Sequence, residues 1–218
     1  MRFVVAFFLL LPTSVFAADC EEIYQATCRI NGNATGVVFA QDKTDLWIIT
    51  AGHAMVDRKE KLEKEFYVHF FINGKQSPKF KAEPLWHTHH KKTTRDLGFI
   101  KVKKDQFGLY PLPKPVPLAP EGTKVKKGQS ILSCGCPHGN WPSKWKGNVL
   151  KVFPDKFQFH PTPIPGRSGS GIFTEDGIVG IIIWYSYHTG KSNKESYGTA
   201  ITLGNIYKAT KWNTKKND

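Results

Sequence analysis

The chain has 218 residues and a formal net charge of +13, from 31 lysines and arginines against 18 acidic residues. That length holds one domain or two small barrels sharing a core, and its N-terminal apolar run is too short to span a bilayer. Aromatic and β-branched residues are plentiful and no long amphipathic helical pattern stands out, which favours an all-β protein.

The chain opens MRFVVAFFLLLPTSVFAADC. Arg2 gives a positive start, Phe3–Leu11 the apolar run, and Val15-Phe16-Ala17 a small-residue cleavage site. Residues 1–17 therefore read as a signal peptide cut after Ala17, leaving a secreted or periplasmic protein with no stable membrane span. Asp19 before Cys20 argues against a lipoprotein site, which wants a small residue there. In an exported chain the four cysteines, Cys20, Cys28, Cys134 and Cys136, are compatible with two disulfides in any of three pairings. A bridge between Cys134 and Cys136, one glycine apart, would be strained, so pairing across the molecule is open. Cys134, Cys136 and His138 have the chemistry of zinc ligands, but no fourth ligand follows at a clear spacing, and neither metal nor cofactor is expected.

Tyr24–Ile30 and Gly36–Ala40 read as the first strands, joined by a turn at Asn31–Asn33. Leu46–Thr50 leads into ITAGHAM (Ile49–Met55), which sets His53 in a small, apolar frame. Asp57–Lys64 reads as one or two helical turns or a charged loop. Phe66–Ile72 alternates and ends at Asn73-Gly74, a hairpin signal. Phe80–Trp86 leads to His87, His89 and His90, with His87 and His89 on one face; no acidic or cysteine partner is nearby, so a polar edge is favoured over a metal site. Leu97–Val102 closes this set, and RDLGFIKV (Arg95–Val102) puts Asp96 next to an apolar strand. Asp57 and Asp105 lie in charged, solvated sequence instead.

Five prolines in Tyr110–Pro120 favour an extended connector. A second strand set follows: Lys124–Lys126, Gln129–Cys134, Gly147–Val152, Lys156–His160, Gly171–Thr174, Ile178–Tyr185 and Tyr197–Ile201. Within it PGRSGSGIF (Pro165–Phe173) places Ser168 in a glycine-rich turn. Asn205–Trp212 reads as a C-terminal helix, and Asn213–Asp218 as a polar, disordered tail.

A serine hydroxyl is a poor nucleophile at neutral pH unless a histidine takes its proton and a buried carboxylate holds that histidine. His53, Asp96 and Ser168, about 43 and about 72 residues apart, suit a site assembled from distant loops between two sheets. The order excludes an esterase elbow, Gly-x-Ser-x-Gly with acid and histidine following: position 170 is serine, and only His188 follows.

The three segments, with ATGVVFA before the histidine, GCPHG at Gly135–Gly139 and GIVGIIIW after the serine, resemble the chymotrypsin-like (trypsin-fold) serine proteases. The style is nearest the bacterial Deg, or high-temperature-requirement, branch without PDZ domains. The resemblance covers about Thr35 to Ile201. It implies an all-β fold of two packed six-stranded antiparallel β-barrels with a short C-terminal helix. Residues 18–110 would form the barrel carrying His53 and Asp96, 111–120 the linker, and 121–212 the barrel carrying Ser168. It implies that His53 is the general base, that Asp96 orients it and that Ser168, rather than Ser170, is the nucleophile. The backbone amides of Gly166 and Ser168 would form the oxyanion hole. Arg167 stands where the family usually has Asp or Asn. Counting six residues back from the nucleophile puts Thr162 at the base of the primary pocket, a neutral residue that argues against selection of Lys or Arg. Ile181–Trp184 would form the other wall and pair with extended substrate, with Ile183, Trp184 and Tyr185 as contacts. Tyr185 replaces a common glycine, which points to a small or medium apolar side chain.

The expected activity is an exported serine endopeptidase acting on polypeptides through an acyl-enzyme. The competing reading is a catalytically silent protease-fold protein that binds anionic surfaces or partners. The basic charge motivates it and the complete triad argues against it. The lysines, at Lys59–Lys64, Lys101–Lys104, Lys124–Lys127 and Lys211–Lys216, are not interleaved with aromatics. They imply no specific nucleic-acid site, only weak attraction to anionic surfaces.

Overall fold

The computed structural model describes residues 20–89, 96–186 and 196–214. The proposed signal peptide, His90 and residues 215–218 of the expected tail lie outside them. The first element is a short helix, α1 (Cys20–Ala26), where the sequence predicts the start of a strand. Glu21 and Glu22 complement the positive end of a helix dipole, while Ile23 and Ala26, three residues apart, are buried on one face.

Seven strands follow: β1 (Thr27–Ile30), β2 (Ala34–Gln41), β3 (Asp45–Thr50), β4 (Phe66–Ile72), β5 (Lys75–Gln76), β6 (Phe80–His89) and β7 (Asp96–Lys103). They are ordered β1-β2-β3-β7-β6-β4, the β1–β4 pairing closes the barrel, and β5 adds to β4 as a short hairpin. The β1–β2 turn has Asn31 and Gly32 both at positive φ, as does Asn73-Gly74 between β4 and β5. Such turns match the twist of a hairpin, which is why Asn-Gly marks them in sequence. Alternation in β4 sends Phe66, Val68 and Phe70 fully into the core. The segment expected as helical turns or a charged loop is a loop: Asp57 accepts the amides of Lys59 and Lys61 on its own carboxylate, and Val56 bridges to Leu62.

The second barrel comprises β8 (Ser130–Gly135), β9 (Ser143–Val152), β10 (Lys156–His160), β11 (Gly171–Thr174), β12 (Gly177–Ser186) and β13 (Tyr197–Thr202). It closes in the order β10-β13-β12-β11-β8-β9 through the antiparallel β9–β10 pair. The fold is thus two six-stranded antiparallel barrels, as expected. Lys124–Lys126, expected as a strand, is irregular: positive-φ turns at Gly122 and Gly128 bracket it, and the Lys126 amide donates to the Gln129 side chain. Helix α2 (Leu203–Thr214) starts two residues ahead of the expected Asn205 and runs two past the expected Trp212, so Asn213 and Thr214 are helical rather than part of the tail; Leu203 and Ile206 are buried and Tyr207 Oη donates to the Ala119 carbonyl.

Phe157, Phe159, Ile131 and Ile182 fill the second barrel. The outer face of β12, Ile181 and Ile183, joins Phe173 and Ile201 in the same apolar cluster as Ile48, Phe66 and Phe99 of the first barrel. The seam is therefore core, not surface. The proline-rich connector stitches both sides of it: Val116 N–H donates to Val38 O, and Ala119 N–H donates to Ile178 O.

Candidate active site

His53 lies on a 3-10 turn, Gly52–Met55, that leaves the end of β3. A Cβ on Gly52 would sit 1.9 Å from the Thr88 carbonyl on β6, so only glycine lets this turn press onto the β6–β7 pair. Asp96, the first residue of β7, is 3% exposed. Its Oδ1 accepts the His53 backbone N–H at 2.6 Å, and its Oδ2 lies 2.7 Å from His53 Nδ1. A carboxylate only accepts, so Nδ1 carries the hydrogen and Nε2 is left as the ring's acceptor. One carboxylate thus fixes both the turn and the tautomer. The alternative acids are elsewhere: Asp57 is spent on its own loop and Asp105 is exposed.

Ser168 lies in the loop between β10 and β11, on the other barrel. Its carbonyl accepts from the Thr35 N–H at 2.9 Å, and the Gly169 N–H donates to Ile182 O at 2.8 Å. Gly169 has φ +88, and a Cβ there would meet Thr35 O at 2.0 Å and the Ala51 amide nitrogen at 3.0 Å. The residue after Ser168 therefore lies against the chain two residues before His53. Ser168 is half-buried, whereas Ser170 is fully buried and its hydroxyl has no hydrogen-bond partner among the described residues. The two serines face different surroundings, and only Ser168 has access to a reactant.

Gly166 has φ +90, and its missing Cβ would collide with the Cys136 carbonyl at 2.3 Å. The turn Pro137–Gly139 packs on it, with the His138 N–H donating to Pro165 O. Neither the Gly166 nor the Ser168 amide has a hydrogen-bond partner among the described residues. Two unpaired donors one residue apart beside a serine hydroxyl can bind a developing oxyanion.

Thr35, which the sequence reading passed over inside ATGVVFA, joins these parts. Its hydroxyl donates to Gly166 O at 2.7 Å and accepts the Cys136 N–H at 2.9 Å, and its carbonyl accepts Thr50 Oγ1 at 2.7 Å. A small polar residue ahead of a glycine in an apolar strand was the available signal. Arg167, which stands where the family usually has Asp or Asn, is 6% exposed and donates to the backbone carbonyl and hydroxyl of Ser143. Burial pushes its guanidinium below the usual arginine range, while the nearby Cys134 and Cys136 oppose that shift.

Of the expected substrate contacts, Thr162 is half-buried between Pro161 and the buried Pro163. Ile183 is 1% exposed and packs in the seam, so it can offer substrate only its backbone. Trp184 is half-buried, and Tyr185 pairs with Gly198 while its side chain lies outside the described residues. Cys28 and Cys136 are buried and unbridged, whereas His138 is exposed. Burial holds both thiols high, that of Cys136 pushed up to about 12. Among the described residues no group of three or more His, Cys, Asp or Glu side chains could hold a metal ion.

Residues 34–181 match the family model of the trypsin-like peptidase domain. The chain belongs to this family. It is by that membership a serine endopeptidase, and polypeptides are its substrates. No curated protein sequence matches it. Among solved structures, the chain is similar to a serine endoprotease from Yersinia pestis, at 17% identity and a TM-score of 0.66, over 95% of this chain and 69% of that one. It is also similar to the active form of the Rv3671c protease from M. tuberculosis, at 15% identity and a TM-score of 0.60, over 89% and 81%. At these identities the likeness is one of fold.

Proposed function

We propose that this trypsin-like peptidase is exported and cleaves polypeptides through a Ser168–His53–Asp96 triad. His53 Nε2 takes the proton from Ser168 Oγ as that oxygen attacks the scissile carbonyl, and returns it to the leaving amine. Water then hydrolyses the acyl-enzyme with His53 as base again. Asp96 keeps the imidazole in the accepting tautomer and stabilises the imidazolium. The amides of Gly166 and Ser168 hold the oxyanion, a contribution of about 3–4 kcal/mol per donor in comparable sites. The observation that carries this reading is the double grip of Asp96 on His53. Ser168→Ala should abolish casein hydrolysis with the fold intact by circular dichroism, and a fluorophosphonate should label Ser168. Full residual activity, or labelling of Ser170, would overturn the assignment.

Export rests on the charged, apolar and small-residue zones of residues 1–17. Expression with this leader in a secreting bacterial host should yield a mature N-terminus at Ala18 by mass spectrometry. For the primary pocket, the neutral Thr162 supports a preference for small or medium apolar residues. The net charge of +13 supports weak, salt-sensitive attraction to anionic surfaces as an accessory to cleavage.

A further inference from the structure

Strand β12 changes partners along its length. One edge pairs with β11 from Gly177 as far as Ile181, while the other pairs with β13 up to Ser186. Past Ile181 the first edge turns to the nucleophile loop, where Gly169 N–H donates to Ile182 O and Ile182 N–H donates to Ser170 O. From Ile183 to Ser186 that edge has no strand partner among the described residues. An extended peptide added there, with its scissile bond at Ser168, lays the residues upstream of the bond beside Trp184.

Trp184 is not a plain apolar wall. Lys156 Nζ sits 5.6 Å from its ring centroid and 5.6 Å from that of Phe153, and Lys151 Nζ sits 4.9 Å from the Phe153 ring. Strand β10 turns Phe157 and Phe159 into the barrel, which puts Lys156 on the outer face, next to Trp184. Both ammonium groups are held over aromatic faces, and neither has a carboxylate partner among the described residues. Asp155, in the same turn, offsets one of the two charges. Its backbone carbonyl is taken by Thr202 N–H and Asn205 Nδ2.

We propose that this cluster is a substrate subsite that takes an acidic side chain three or four residues upstream of the cleaved bond. The methylenes of a glutamate pack on the Trp184 ring, its carboxylate meets Lys156, and Lys151 adds positive potential. The proposal rests on the proteolytic reading and gives it a substrate class, polypeptides with an acidic residue ahead of the cleavage site. The pair is partly exposed, so its effect is modest: about fivefold or less for one attraction, and about tenfold between an attracted and a repelled side chain.

The test uses three internally quenched peptides built on a cleavage site mapped in casein. They are identical except for Glu, Gln or Lys at the upstream positions. The intact mature enzyme should show kcat/KM about tenfold higher for Glu than for Lys at low salt, shrinking at about 0.5 M salt as the charges are screened. Lys156→Glu should invert the order within its own set of three ratios. Equal rates for the three peptides, or an unchanged ratio in Lys156→Glu, would overturn the subsite while leaving the protease assignment intact. No turnover that depends on Ser168, on casein or on the Gln peptide, would sink the catalytic reading and the subsite with it.

Discussion

Thr35 is a single hydroxyl on which two loops of the site depend. Thr35→Val keeps the shape but leaves the Gly166 carbonyl and Cys136 amide without their partner, at a cost of about 1–3 kcal/mol for each buried group. We expect kcat to fall by about tenfold or more with little change in KM, and Thr35→Ser to restore it; a lower Tm with unchanged kcat would make Thr35 merely structural. Cys136 is predicted to be inert. With its thiol near 12, iodoacetamide at pH 7.5 should modify it only after denaturant is added, as read by mass spectrometry. Asp42 carries a pH dependence of stability. The Trp47 indole N–H at 2.9 Å, then the amides of Asp45 and Thr44, lower its pKa from 3.8 to about 2. A carboxylate with a lowered folded pKa stabilises the fold above 3.8, and that stability is lost as pH falls through about 2. The urea midpoint should drop over this window, less so in Asp42→Asn. At this scale His53, Asp96 and Ser168 were legible because each sits in an apolar or glycine frame, although Ser170 shares the frame of Ser168. Thr35 and Arg167 were not, because their roles come from partners 131 and 24 residues away.

At the scale of elements, glycines decide how closely the pieces approach. Gly52→Ala should push the His53 turn off the β6–β7 pair and lower kcat far more than Tm, since the added carbon meets a backbone carbonyl that cannot move aside. Gly204→Ala is the contrast: nothing lies within 4 Å, and alanine in helix α2 should raise stability by up to about 1 kcal/mol in a thermal melt. Strands that alternate, such as β10 and β4 as far as Phe70, could be read from sequence because one face is core and the other is not. Helix α1 could not: seven residues give too little periodicity, and its N-terminal acids are the only cue. Lys124–Lys126 misled in the other direction. A short segment between glycines has the length of a strand but no neighbour to pair with.

At the scale of the molecule, the two barrels were foreseeable from what the family resemblance implies, and an extended connector from the run of prolines. The continuity of the seam with the first core was not, because it depends on which face of β12 points outward. Truncating Phe157 should cost about 3–5 kcal/mol and loosen the second barrel without touching the catalytic groups, as unfolding in urea would report. The junction at Thr35 has a different consequence. Ser168 lies on one barrel and His53 on the other, and the bonds of Thr35 that align their loops cross the seam. Catalysis is therefore a gauge of the seam. Because the seam shares its apolar cluster with the first barrel, it cannot open while that core stays packed. As denaturant rises, turnover should fall together with the circular dichroism of the strands, and it should return only as the shared core repacks.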